Sequence, residues 1–188
     1  GIIVKMANYF PNINGLEASV THMQQIVNDG YSIIIFPEGT RSKTDTIHRF
    51  KKGAFYLASM IKVPIIPITI QGAHIAIEKN DYLLKSNQIH IHIGTPIEHP
   101  TLDNYSQASR NIAKQMRATL ASLKTTYETP KYFHQLLIDS HIYKGPVLEW
   151  YVRIKAKMEQ YYEPFHALLP QQGKIYDLGC GYGMMSFM

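Results

Sequence analysis

Three consecutive isoleucines, Ile33-Ile34-Ile35, run directly into Phe36-Pro37-Glu38-Gly39-Thr40-Arg41-Ser42, and this junction constrains the chain more than any other stretch. A short apolar run bounded by turn residues reads as a buried strand, which Pro37 and Gly39 then stop and turn. A carboxylate, backbone N–H groups, a hydroxyl and a guanidinium are thereby displayed together just past a strand end. In open α/β sheets ligands settle at the carboxyl ends of strands, so chemistry is expected here. Arg41 can grip a phosphate through two parallel hydrogen bonds. The adjoining basic segment, Arg49-Phe50-Lys51-Lys52-Gly53, adds point charge at Lys51 or Lys52.

Around this junction the pattern alternates between helical and extended periods. Leu16, Val20, Met23, Ile26 and Val27 recur at helical spacing, with Asn14 near the start and Gly30 just past the end. A second helix is expected over Phe50–Ile61. Val63 to Ile70 reads as a strand made irregular, or placed at an edge, by Pro64 and Pro67, which lack ladder donors. Ile89, Ile91 and Ile93 alternate with His90 and His92, a half-buried strand of period two. Tyr105, Ala108, Ile112, Met116, Leu120 and Leu123 mark a long amphipathic helix. The order helix, strand, helix, strand, strand, helix predicts an α/β domain over 1–125.

Beyond it, Thr125 to Ser140 reads as a connector. Pro146 suits the first turn of a helix continued by Leu148, Val152, Lys155 and Met158, and Pro164 and Pro170 interrupt the chain after that helix. A helical linker over 126–170 is therefore expected. Lys174-Ile175-Tyr176-Asp177 reads as a short strand entering a glycine-rich turn.

Composition narrows the function classes. The 188 residues are 45% hydrophobic and 18% charged, enough apolar material for a core. A net charge of +5 favours anionic partners: phosphate groups, nucleic acid or an acidic membrane surface. No base-reading motif accompanies that charge, so no nucleic-acid partner is expected. One cysteine, Cys180, rules out an internal disulfide framework. No apolar run approaches the length of a membrane span. A start at Gly1 and an end at Met188, inside a structural unit, predict a fragment.

The Phe36–Ser42 stretch resembles the third signature block of the glycerolipid (1-acylglycerol-3-phosphate, or lysophosphatidic acid) acyltransferase family. Arg49 to Phe55 resembles the family's basic-Lys-Gly-Ala stretch, and Val63-Pro64-Ile65-Ile66-Pro67 its fourth block. Ile93-Gly94-Thr95-Pro96-Ile97 resembles the closing strand and turn, and Ala7-Asn8-Tyr9-Phe10-Pro11, more loosely, the second block. The resemblance covers about 1–125 and implies a sheet flanked by helices. It also implies transfer of a fatty acyl group from acyl-CoA or acyl carrier protein to the hydroxyl of a lysophospholipid-like acceptor, at the cytoplasmic face of the inner cell membrane. Glu38, Gly39, Thr40 and Arg41, with Lys51 and Lys52, would bind the acceptor's phosphate. Read without the family, Glu38 and Arg41 could instead pair with each other and fasten the turn.

The family's general base is a His held by an Asp in a His-x4-Asp block upstream of the others, and no such block precedes the second block here. No catalytic residue is therefore assigned, and residues 1–188 alone are expected to be inactive. His134 and Asp139 do have that spacing, but they come after the fourth block and read as coincidence. His90 and His92 lack a third ligand, so no metal is expected.

At the other end, Asp177-Leu178-Gly179-Cys180-Gly181-Tyr182-Gly183 resembles the first motif of class I S-adenosylmethionine-dependent methyltransferases. Asp177, Gly179, Gly181 and Gly183 would line the methionine side of that cofactor, so 171–188 reads as the first strand of a truncated Rossmann-like domain. Tyr143 to Tyr151 resembles the junction in bacterial proteins that join the two domains. A bifunctional enzyme is the leading expectation. The alternative is a methyltransferase carrying a non-catalytic lipid-binding module. The tyrosines from Tyr143 to Tyr162, with Lys155 and Lys157, could rest on a membrane surface or pack inside the protein.

Overall fold

A computed structural model describes residues 16–42, 44–77, 84–158, 160–170 and 173–187. Asn14 and the Ala7–Pro11 stretch lie outside these. The chain divides into two compact units: residues 1–41, 47–67 and 94–114 form one, and residues 42–46, 68–93 and 115–188 the other.

In the first unit, α1 (Leu16–Asn28) ends as its sequence predicts. Gly30 adopts φ +86°, and the Gly30 and Tyr31 N–H groups donate to the Val27 and Ile26 carbonyls at 2.9 and 3.1 Å. This closure satisfies carbonyls the last helical turn would leave open, and it needs a left-handed residue at Gly30. α2 (Gly53–Ile61) turns Phe55, Ala58 and Ile61 inward. Phe50 stacks on Phe55 at 6.1 Å, and Tyr56 meets Tyr105 edge-on at 5.6 Å. Ile65 and Ile97 exchange two 2.8 Å backbone bonds as an isolated bridge.

One expectation in this unit fails. Residues 31–36 form no regular structure and join no ladder among the described residues, and Ile34 is 79% exposed. Apolar composition gives a segment the capacity to be a strand, but hydrogen-bonding neighbours make it one.

The second unit holds the sheet. β1 (Ile68–Gln71) pairs antiparallel with β2 (His90–Ile93), Ile68 facing Ile93 and Ile70 facing Ile91. The ladder is shorter than the Val63–Ile70 reading because Pro64 and Pro67 cannot donate. The isoleucines do not supply the buried face of the sheet. Thr69 and Gln71 are buried, whereas Ile68, Ile70, Ile91 and Ile93 are exposed. Polar partners explain this arrangement. Gln71 Nε2 donates to Glu128 Oε1 (2.8 Å) and Tyr132 Oη (3.0 Å), Asn87 Nδ2 donates to Tyr132 Oη (2.8 Å), and His90 stacks on Tyr127 at 3.6 Å.

A one-turn helix, α3 (Ala73–Ala76), comes after β1, and the long α4 (Tyr105–Tyr127) comes after β2. The expected connector after α4 is largely another helix, α5 (Pro130–Asp139). Thr129 caps it by accepting from the Tyr132 N–H, and Pro130 occupies the first turn, where no amide partner is needed. A short 3₁₀ turn (Ile142–Lys144) leads to α6 (Pro146–Met158), then α7 (Tyr162–Leu168) and a last 3₁₀ turn (Met185–Phe187). Pro164 does not interrupt α7. It sits in the first turn, where a missing N–H costs nothing. Leu137, Ile138, Val152, Tyr162 and Met184 form one buried cluster, supported by Leu148, Ala156 and Met185. The strand expected at Lys174–Asp177 is absent; these residues are exposed and join no ladder among the described residues.

Candidate functional site

The turn after Phe36 is built from the first unit alone. The Gly39 N–H donates to the Phe36 carbonyl at 3.0 Å, closing a tight turn around Pro37 and Glu38. Gly39 has φ +71°, a conformation that L side chains resist. Ten residues on, the chain returns: the His48 N–H donates to Glu38 Oε2 at 2.9 Å, and the Lys51 N–H donates to the Pro37 carbonyl at 2.7 Å. The Glu38 carboxylate therefore fastens the loop base. A Cβ built on Gly39 would stand 2.6 Å from both Cε and Nζ of Lys51, so the ammonium end of Lys51 lies over the turn.

This geometry groups three of the six expected acceptor-binding residues, Glu38, Gly39 and Lys51. Thr40 and Arg41 continue the turn and are exposed. Lys52 is the N-cap of α2 and supplies no side-chain cap, and the first turn of α2 carries no acidic residue. The N-terminal N–H groups of a helix attract negative charge, and two lysines precede this one directly. Backbone donors, a lysine above a glycine turn and an exposed guanidinium suit a phosphate monoester.

Past Arg41 the loop tip belongs to the second unit. Asp45 there contacts His74 Nδ1 at 2.9 Å and the Lys124 ammonium, which also donates to the Asp45 carbonyl at 2.8 Å. Burial alone would raise the Asp45 pKa. The His74 and Lys124 contacts outweigh it and hold the carboxyl below its ordinary value. Nothing in the sequence pattern signals this anchor, because its three residues lie far apart in the chain.

The glycine-rich segment is different. Asp177, Gly179, Gly181 and Tyr182 line an open cavity of about 490 Å³ together with Tyr151 and Lys155 of α6. Gly179, Gly181 and Gly183 have φ values of +77°, +56° and +70°, yet a Cβ on any of them would meet nothing within 4 Å. Asp177 Oδ2 accepts from Ser186 Oγ at 2.9 Å, and buried His141 places Nε2 3.2 Å from the Tyr182 carbonyl. Gly183 donates its N–H to the Cys180 carbonyl and does not line the cavity. A second cavity, of about 530 Å³, is lined by Asn87, Gln88, Thr126, Tyr132 and Gln135 among others.

His134 and Asp139 do not form a dyad. Five residues apart on α5, they point about 140° from one another, and Asp139 Oδ1 accepts from Gln135 Nε2 at 2.7 Å. Among the described residues no group of three or more His, Cys, Asp or Glu side chains could hold a metal.

The part of the chain that holds this turn is similar to known proteins. Residues 10–71 match the family model described as Acyltransferase, and the Glu38–Arg41 turn and Lys51–Lys52 lie inside the matched segment. Among similar proteins, a 1-acyl-sn-glycerol-3-phosphate acyltransferase of Cocos nucifera is 40% identical over 73 residues, covering 39% of this chain and 24% of that protein. A probable 1-acyl-sn-glycerol-3-phosphate acyltransferase of Mycoplasma pneumoniae is 32% identical over 124 residues, covering 62% of this chain and 46% of that one. The crystal structure of the 1-acyl-sn-glycerophosphate (LPA) acyltransferase PlsC from Thermotoga maritima superposes with a TM-score of 0.53 at 22% identity. It covers 60% of this chain and 45% of PlsC, and shows a shared fold. The chain spans less than half the length of these relatives.

Proposed function

We propose that this chain carries the acceptor-binding part of a glycerolipid O-acyltransferase that moves a fatty acyl group from acyl-CoA or acyl carrier protein to the hydroxyl of a lysophosphatidic acid-like acceptor. The observation that carries the reading is the Lys51 ammonium lying over the Gly39 turn, beside the basic, acid-free N-terminus of α2. The acceptor's phosphate would rest against these donors, with Arg41 closing from the exposed side. Glu38, engaged with the His48 N–H, holds the loop and does not act as a base. His134, the single residue with His-x4-Asp spacing, is turned away from Asp139, so residues 1–188 bind acceptor without turning it over. The reaction would take place at a membrane surface, because its acceptor is a lipid; the cytoplasmic face is the side that the family resemblance implies.

Calorimetry of residues 1–188 with lysophosphatidic acid tests this. Losing a charge-assisted, two-pronged contact to phosphate weakens binding about 10- to 100-fold, the effect expected of Arg41→Ala. Equal affinity in wild type and variant would refute the assignment.

A second reading concerns the glycine-rich segment. The cavity bounded by Asp177, Gly179 and Gly181 favours the start of an S-adenosylmethionine site, hence a bifunctional protein with a methyltransferase activity. Equilibrium dialysis of radiolabelled S-adenosylmethionine against wild type and Asp177→Ala would decide whether this segment holds the cofactor by itself.

A further inference from the structure

Helix α6 carries two apolar faces; one enters the buried cluster, and the other is engaged, among the described residues, only at Tyr151, which meets Tyr182 edge-on at 5.8 Å. At 100° per residue, Leu148, Val152 and Ala156 fall on one arc, and these enter the buried cluster. Trp150, Ile154, Val147, Met158 and Tyr151 fall on a separate arc spanning about 100°. Val147 is 84%, Trp150 68% and Met158 71% exposed. A helix with one core-facing stripe ordinarily sets polar residues opposite it. Here the opposite side is a tryptophan, a tyrosine and three aliphatic side chains.

The edges of the outer arc show what it meets. Lys157 borders it on one side and Lys155 on the other, and both are exposed. Lys155 Nζ lies over the Tyr151 ring, 5.8 Å from its centre, so a positive charge sits at the edge of the aromatic surface. The acid of this helix, Glu149, lies away from the arc and is engaged by Arg153 at 2.7 Å. Tyr143 and Tyr161, beyond the two ends of the helix, are also exposed. Aromatic and aliphatic side chains framed by lysines match an interface with hydrocarbon below and anionic headgroups at its rim. A second copy laid on this face would bring lysine-lined edges together, and the acid of α6, Glu149, lies outside the arc. At 13 residues, roughly 20 Å, α6 is too short to span a bilayer, and no described helix is long and apolar enough to do so.

We infer that the Val147–Trp150–Tyr151–Ile154–Met158 face of α6 is a docking surface for a lipid bilayer bearing anionic headgroups, with the helix lying in the interface plane. The inference rests on α6 alone and stands whether or not the chain binds an acyl acceptor.

Trp150 is the sole tryptophan, so its fluorescence reports this face without labelling. Residues 1–188 are mixed with vesicles of phosphatidylcholine, with and without phosphatidylglycerol. The expected result is a blue shift and protection from an aqueous quencher, strongest with phosphatidylglycerol and reduced by salt. Joint Lys155→Gln and Lys157→Gln substitution should weaken binding to the anionic vesicles about 30-fold. Val147→Asp with Met158→Asp should abolish it while far-UV circular dichroism stays unchanged, since both side chains are exposed. No shift with either vesicle would overturn the proposal. So would an undiminished shift in the aspartate variant, or a vesicle-free shift that grows with protein concentration, the mark of self-association.

Discussion

The turn at Glu38 and the turn at Gly179 are both announced by glycine, yet they are held in different ways. At the first, three contacts converge from residues ten to fourteen positions away: the His48 N–H on Glu38, the Lys51 N–H on Pro37, and the Lys51 side chain over Gly39. At the second, three glycines bend the backbone through positive φ with open space around each. That segment is tied down by Ser186 on Asp177, by His141 on the Tyr182 carbonyl, and by Met184 in the buried cluster. A glycine pattern in a sequence therefore fixes backbone shape, whereas closure by the returning chain makes a turn into a binding surface.

The largest test of this contrast removes what anchors the second turn. Leu137→Ala empties the middle of the cluster that Met184 enters, and should cost about 2–5 kcal/mol in chemical unfolding. The Asp177–Gly183 segment should lose its amide-exchange protection, while the Gly39 turn keeps its own.

A smaller effect separates the two kinds of glycine. Gly39→Ala and Gly181→Ala should each cost about 1–2 kcal/mol for a left-handed alanine. The Gly39 cost should shrink by roughly 0.5–1 kcal/mol in a Lys51→Ala background, because the three atoms nearest the added methyl all belong to the Lys51 side chain. The Gly181 cost should be the same in either background. Denaturant midpoints for the double-mutant cycle give both numbers.

The smallest effect lies at Asp45. Its carboxyl titrates below its ordinary value in the folded chain, so its contribution is complete above about pH 4 and fades as pH falls further. Asp45→Asn should flatten that acid limb of stability. Midpoints measured at descending pH for wild type and variant would show an unchanged slope if the anchor is inert.

Local signals are legible where chemistry is local. The end of α1 at Gly30, the Pro146 start of α6 and the Pro37–Gly39 turn are written in single residues whose backbone preferences leave few choices. The apolar segments at Ile33–Phe36 and Lys174–Asp177 read as strands, but a strand is a relation between segments, and the described residues supply no neighbour to either. The buried face of β1 escapes a periodicity reading because Gln71 is made comfortable by Glu128 and Tyr132, more than fifty residues away. α5 escapes it because Thr129-Pro130 looks like an ordinary break until its capping role is seen. At the candidate site the motif names Glu38, Gly39 and Lys51 as members. Their arrangement, with Glu38 as a loop fastener and Lys51 over the glycine, depends on a loop closing on itself, which spacing does not encode.

Amide chemical shifts of residues 1–188 titrated with lysophosphatidic acid test the central claim most directly. The Gly39, Thr40 and Gly53 amides should move while those of Gly179, Gly181 and Gly183 stay in place. Silence across residues 38–53, or movement confined to the glycine-rich segment, would contradict it.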